Sequence, residues 1–286
     1  MDVQGVIIMK KNIRLIIKYL SGIIFVCCVI YLSVYFIDGY KSQKNIETLA
    51  KRLKIAEALH QQQTIVSDLP IVDATIDDEG PTLELPEVEP TILPKFIELH
   101  NENPDLIGWI KIEDTKVDYP VMQTKEDNEF YLRRNFEKES DRGGLPFLDN
   151  RSDIELPSTN FIIYGHNMQN GTMFKDILNY KDIEYYKEHP TIHFDTIYEE
   201  SEYEIVAVFL SQIYKVDDDV FKYYKFFQAN TEKEYNDFID NVKNLSLYDT
   251  GIHAEYGDQL ITLSTCEYSK ENGRFAIVAR KKAQDK

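Results

Sequence analysis

The stretch "LITLSTCEYSKENGR" at 260–274 ends an apolar, strand-like run on a cysteine and brings an arginine eight residues later. Cys266 therefore stands at a strand's C-terminal end, before the polar loop "EYSKENG", where a reactive side chain is accessible. An ordinary thiol with a pKa of ~8.5 is only about 3% thiolate at pH 7, so a nucleophile here needs a base, a cation or both. His166 is the candidate base. It follows the strand-like "NFIIYG" and enters a Gly- and Asn-rich loop, from which an imidazole could meet a neighbouring strand end.

Arg274 is the candidate cation. If "LITLSTC" and "RFAIVAR" form a hairpin around the loop 267–273, Cys266 and Arg274 face each other at its mouth. A guanidinium fork there suits a carbonyl oxygen becoming an oxyanion. Taken singly, Arg274 reads as a surface strand residue and His166 as a histidine satisfied within the fold; it is the cysteine that makes them a set. The other histidines lack a comparable setting: His60 in a helical stretch, His100 and His189 beside helix ends, His193 within a strand, His253 in a loop.

Three cysteines occur in 286 residues, and Cys27 and Cys28 fall in an apolar N-terminal run. Cys266 is thus left alone in the globular part, without an intramolecular disulfide partner. No CxxC or close Cys/His spacing accompanies it, and no calcium-loop pattern occurs, so neither a metal nor another cofactor is expected. With 32 basic and 49 acidic residues the formal charge is −17, which argues against a nucleic-acid partner.

The elements that must position these residues follow from the rest of the chain. "YLSGIIFVCCVIYLSVYFI" at 19–37 carries no charge, and at ~1.5 Å per residue it nearly spans a ~30 Å hydrocarbon core. It is longer than the ~7–15 residue core of a signal peptide and lacks a small-x-small cleavage site, so it reads as an uncleaved single-pass anchor after a cytoplasmic tail at 1–18. Basic residues flank it on both sides, so charge alone leaves orientation open; the short N-terminal tail and the cysteine usage favour an external C-terminal part. A helical stalk and an acidic, proline-rich linker follow at 38–94. Within it, "NIETLAKRLKIAEALHQQQ" at 45–63 has apolar residues at helical spacing and reads as a spacer, the alternatives being self-association or packing on the main domain.

The globular domain is expected at 95–286. Eight short β-like runs, at 106–112, 117–122, 144–149, 160–165, 191–195, 203–211, 259–265 and 274–280, predict a barrel or sandwich. Helices are expected at 96–101, 128–132, 173–180, 183–189 and 231–244, the last opened by a capping pattern from Thr231 and carrying a core-facing aromatic stripe.

Over roughly 95–282 the chain resembles the sortases of Gram-positive cell surfaces, class B in particular. The likeness rests on "TLSTC" at 262–266 with Arg274 beyond it, on "FIIYGHNM" at 161–168 with "GTMFKDI" at 171–177, and on "NPDLIGWIKI" and "VDYPVMQ" at 103–112 and 117–123. The resemblance implies a mainly β fold with peripheral helices, an eight-stranded barrel behind an N-terminal transmembrane helix, with the catalytic domain outside the membrane. It implies a cysteine transpeptidase that cuts a C-terminal sorting signal of secreted proteins at a Thr–Gly or Thr–Asn-type bond and passes the acyl group to an amine of peptidoglycan or its precursor. Cys266 would be the nucleophile, His166 the acid and base, and Arg274 with the Glu267 backbone N–H the oxyanion site. Ser264 would contact substrate or Arg274 or be an ordinary strand serine, and Glu267 is the acidic neighbour class B proteins often carry. A hydrolytic cysteine peptidase and an inactive tethered binding module remain the competing readings.

Overall fold

The computed structural model describes residues 3–67 and 90–283, with side chains in the first stretch from 15 to 61. The acidic linker expected before Pro94 lies, from 68 to 89, outside the described residues. Contacts divide the chain into two units, residues 1–44 and 45–286. Helix α1, Val3–Ser67, runs through both. Its residues from 15 onward include a window long and apolar enough to cross a membrane.

In the second unit eight strands close a barrel in the order β1-β2-β3-β4-β7-β8-β6-β5. They are β1 Leu106–Lys111, β2 Asp118–Met122, β3 Phe147–Leu148, β4 Asn160–Tyr164, β5 Thr191–Thr196, β6 Glu202–Gln212, β7 Leu260–Cys266 and β8 Gly273–Lys281. Closure leaves no unpaired edge and lets alternate side chains fill the interior. Ile110, Val121, Phe161, Ile163, Phe194, Ile261, Leu263 and Phe275 belong to that buried core.

A second cluster covers the outer face of β6, β7 and β8, where α4 (Glu232–Leu245) packs Tyr235, Phe238, Ile239 and Val242 onto Phe209, Leu260, Ala276 and Val278. Thr231 caps the helix by accepting the Glu234 N–H at 3.2 Å, and the Glu234 carboxylate returns to the Asn230 N–H at 2.8 Å. Two of the expected helices, at 128–132 and 173–180, are instead short 3-10 turns, Phe130–Arg133 and Asp176–Lys181. Met173, at φ 56°, stands ahead of the second, so the expected helix cannot begin there. Helices α2 (Pro94–Glu102) and α3 (Ile183–Glu188) form close to expectation.

The stretch read as a spacer is packed. Ile46, Leu49 and Leu53 are buried in the main core, and Arg52 donates to Glu98 at 2.6 Å and to Glu102, both on α2. The compact unit thus starts at Asn45, not at Lys95. Three apolar residues on one helical stripe were too short a pattern to separate a docked helix from a free one.

Candidate active site

Strands β4 and β7 are parallel neighbours, with Tyr164 opposite Ser264. The pairing runs one step further, because Gly165 N–H donates to the Ser264 carbonyl at 3.1 Å. Parallel strands deliver their C-terminal ends to the same side of the sheet, so His166 and Cys266, a hundred residues apart, emerge together. On the other side β8 runs antiparallel to β7 and sets Arg274 opposite Cys266. All three sequence-predicted residues therefore meet at one end of three adjacent strands.

Two side-chain bonds lock this corner. The buried Thr265 hydroxyl donates to the Gly165 carbonyl at 2.7 Å, and Asn167 Nδ2 donates to the Cys266 carbonyl at 2.9 Å. Sequence reasoning passed over Asn167; its place in "GHNM" directly after the histidine was the available signal. Gly165 is required by a close approach, as a Cβ there would stand 2.7 Å from the Phe174 ring.

His166 Nε2 lies 2.8 Å from the Leu132 carbonyl oxygen. A carbonyl only accepts, so Nε2 carries the proton, and in the neutral ring Nδ1 holds the lone pair. Burial pushes His166 below the ordinary histidine range; the Leu132 bond opposes this, and the Arg133 charge adds to it. Leu132 contributes through its backbone, which no side-chain pattern announces.

Cys266 is partly exposed and unpaired. It shares the outer face of β7 with Leu260 and Ser264, which α4 and the segment before it cover, while the cover stops short of the thiol. Arg274 donates from Nη1 to the Gly273 carbonyl at 3.0 Å.

Ser264 and Glu267 do not sit as expected for substrate contacts. Ser264 is 1% exposed, and its hydroxyl pairs with that of buried Tyr223 at 2.7 Å. Burial pushes the Tyr223 phenol up to about 12, against the lowering effects of Ser264 and Arg274. Tyr223 arrives from the connection between β6 and α4, whose path the strand pattern did not reveal. Glu267 lies on the opposite face of the strand from Cys266 and is 7% exposed. Lys181 binds its carboxylate at 2.8 Å, and Ser269 contributes its backbone N–H at 2.9 Å and its hydroxyl. The Lys181 bond foremost, then Ser269, hold this carboxyl well below the usual range, at about 2. The Glu267 N–H is also committed, donating to the Gly273 carbonyl at 3.0 Å, which corrects the expectation that it is open to an oxyanion.

With this geometry in place, residues 110–282 match the family described as the sortase domain. The chain belongs to the sortase family. It is 37% identical to sortase B of Listeria monocytogenes over 182 residues, covering 63% of this chain and 71% of that protein. To sortase B of Staphylococcus aureus it is 30% identical over 191 residues, covering 66% and 75% respectively. Among solved structures, a Staphylococcus aureus sortase B-substrate complex superposes with a TM-score of 0.68 at 26% identity, over 86% of this chain and 98% of that one. This sortase is accordingly of class B and a cysteine transpeptidase, as the resemblance implied.

Proposed function

We propose that Cys266 is the acyl-accepting nucleophile, His166 the proton carrier and Arg274 the oxyanion-binding cation of this transpeptidase. The observation that carries this is the register of three neighbouring strands, β4 parallel and β8 antiparallel to β7, with the three side chains at one end.

The thiol proton passes to His166 Nδ1 while Nε2–H stays on the Leu132 carbonyl. The Cys266 sulfur attacks the carbonyl carbon of the scissile peptide bond, and the Arg274 fork stabilises the oxygen as it gains charge. Collapse of the tetrahedral adduct breaks the C–N bond. The imidazolium gives its proton to the departing amine, leaving a thioester. An incoming amine then attacks the thioester, Nδ1 takes the amine's proton, and the sulfur leaves and receives that proton back from Nδ1, restoring the thiol and the neutral ring. A histidine held neutral at rest by burial suits this exchange, since it returns each proton it accepts.

The substrate is the C-terminal sorting signal of secreted proteins, cut at a Thr–Gly or Thr–Asn-type bond, and the acceptor is an amine of peptidoglycan or its precursor. The related Staphylococcus aureus sortase B was solved as a substrate complex, which supports substrate binding by this chain. The N-terminal apolar segment anchors the chain in the cell membrane, residues 1–18 lie in the cytoplasm and the barrel lies outside the cell.

The test uses the full chain in detergent with a panel of fluorogenic sorting peptides, with and without added amine. Turnover yields an amine-linked product, and Cys266→Ala, His166→Ala and Arg274→Ala each reduce it by at least ~10²-fold. Intact turnover in the Cys266 variant refutes the nucleophile, and hydrolysis without an amine-linked product refutes the acceptor. Protease treatment of intact cells should remove the barrel; full protection would overturn the topology.

A further inference from the structure

We propose that Lys181 is a positioning residue for the transpeptidation reaction, acting through Glu267 to hold Cys266 against Arg274. The inference rests on the assignment of Cys266 and Arg274 made above.

Lys181 ends the 3-10 turn Asp176–Lys181, fifteen residues beyond His166 on the same stretch of chain. Its ammonium reaches Glu267, the residue following Cys266, at 2.8 Å. The ion pair therefore bridges the segment that carries the histidine and the strand end that carries the cysteine. It lies on the side of β7 away from the thiol, so Lys181 itself is not placed to touch substrate.

The partners are unequally buried, the Glu267 side chain being 8% exposed and that of Lys181 42%. A carboxylate this buried needs its partners, and Ser269 is the only other one among the described residues. Glu267 also fixes the turn after the cysteine. Its carboxylate gathers Ser269, its N–H binds the Gly273 carbonyl, and that same carbonyl accepts Arg274 Nη1. Cys266 and Arg274 are the residues on either side of this closed turn. The Lys181 ammonium also stands 6.0 Å over the ring of Phe275, next to Arg274, which limits the directions from which it can hold Glu267.

Without Lys181 the Glu267 carboxylate keeps only Ser269 among the described residues and is drawn toward water, which loads the turn it closes between Cys266 and Arg274. Misplacements of about 1 Å at a reacting centre cost on the order of 10²-fold in rate. The loss falls on the chemical step and not on peptide binding, because Lys181 lies behind the strand.

Lys181→Met in the full chain in detergent is expected to lower kcat for a sorting peptide about 10- to 100-fold, with KM within twofold and the melting temperature within a few degrees. Lys181→Arg, which preserves the ion pair, should recover kcat to within about threefold of the wild type. The swapped pair Lys181→Glu with Glu267→Lys should be more active than either single swap. The inference is overturned if Lys181→Met keeps kcat within twofold, if it raises KM with kcat intact, if Lys181→Arg is as impaired as Lys181→Met, or if the loss merely tracks a large drop in melting temperature. Cys266→Ala run alongside separates the two claims: activity surviving it fells the nucleophile assignment, whereas its loss with Lys181→Met unaffected fells only the role of Lys181.

Discussion

Replacing Gly144 by alanine tests whether the carbonyl behind His166 sets the rate. Gly144 lies at φ 56°, left-handed backbone in which alanine costs about 1–2 kcal/mol. A Cβ there would stand 2.6 Å from the Leu132 carbonyl carbon and nearer still to the Leu132 and Tyr131 oxygens. Ordinary contact begins at 3.4 Å, so the Leu132 peptide must retreat by about 0.8 Å or Gly144 must move away from it. The same peptide holds His166 Nε2 at 2.8 Å, so a retreat of that size either breaks the bond or turns the ring with it. A displacement near 1 Å costs about 10²-fold, equivalent to about 2.7 kcal/mol of transition-state stabilisation. The assay is kcat for peptide transfer beside a thermal melt, with Gly143→Ala as control, because a Cβ at Gly143 meets nothing closer than 3.4 Å. We expect Gly144→Ala to lose 30- to 100-fold in kcat while folded, and Gly143→Ala to stay within about threefold. A Gly144 variant within threefold of the wild type, or a Gly143 variant equally impaired, refutes the reasoning.

Three further outcomes follow from particular contacts. His166 is held below its unfolded value, so the folded state binds fewer protons; its contribution to stability is complete above about pH 6.5 and is lost as pH falls toward the folded value. Denaturant melts of His166→Asn across that window should show a shallower loss than the wild type, and identical slopes would contradict the shift. Leu49→Ala, which removes a buried side chain where α1 packs on the core, should cost about 2–4 kcal/mol, whereas Arg52→Ala at the half-exposed pair with Glu98 and Glu102 should cost about 1 kcal/mol or less. A Leu49 variant of unchanged stability would show that the helix is not part of the cooperative unit. Ser264→Ala and Tyr223→Phe each strand a buried hydroxyl and should cost about 1–3 kcal/mol, while the double variant should be more stable than the less stable single. Simple additivity in that cycle would argue against the pairing.

The placement of Cys266 and Arg274 was legible in the sequence because both ride on strand ends. Period-two runs marked β7 and β8, the short polar loop fixed their antiparallel register, and Cys266 and Arg274 fell opposite each other without further information. That His166 belongs beside them was readable only as a strand-end histidine, since the parallel pairing of β4 with β7 joins segments a hundred residues apart and leaves no local trace. The readings of Ser264 stayed open because alternation tells which face a residue occupies and not what covers that face; here Tyr223 does, which fits the ordinary strand serine. Glu267 was misjudged for a related reason, its N–H being spent inside the turn and its carboxylate on a lysine from a distant segment. The Leu132 carbonyl and Gly144 carry no side-chain signature, so backbone groups that orient the His166 ring stay hidden until the fold is known.

The docking of α1 changes what the acidic segment can be asked to do. Residues 45–61 and α2 belong to the same compact unit, so the segment 68–89 joins two points of that unit, whatever path it takes. It is not in series between the candidate membrane span and the barrel. Lengthening or trimming it leaves unchanged the number of residues between that span and the barrel's compact unit. The negative charge it carries, eight carboxylates without a basic residue, accompanies the barrel wherever the barrel goes.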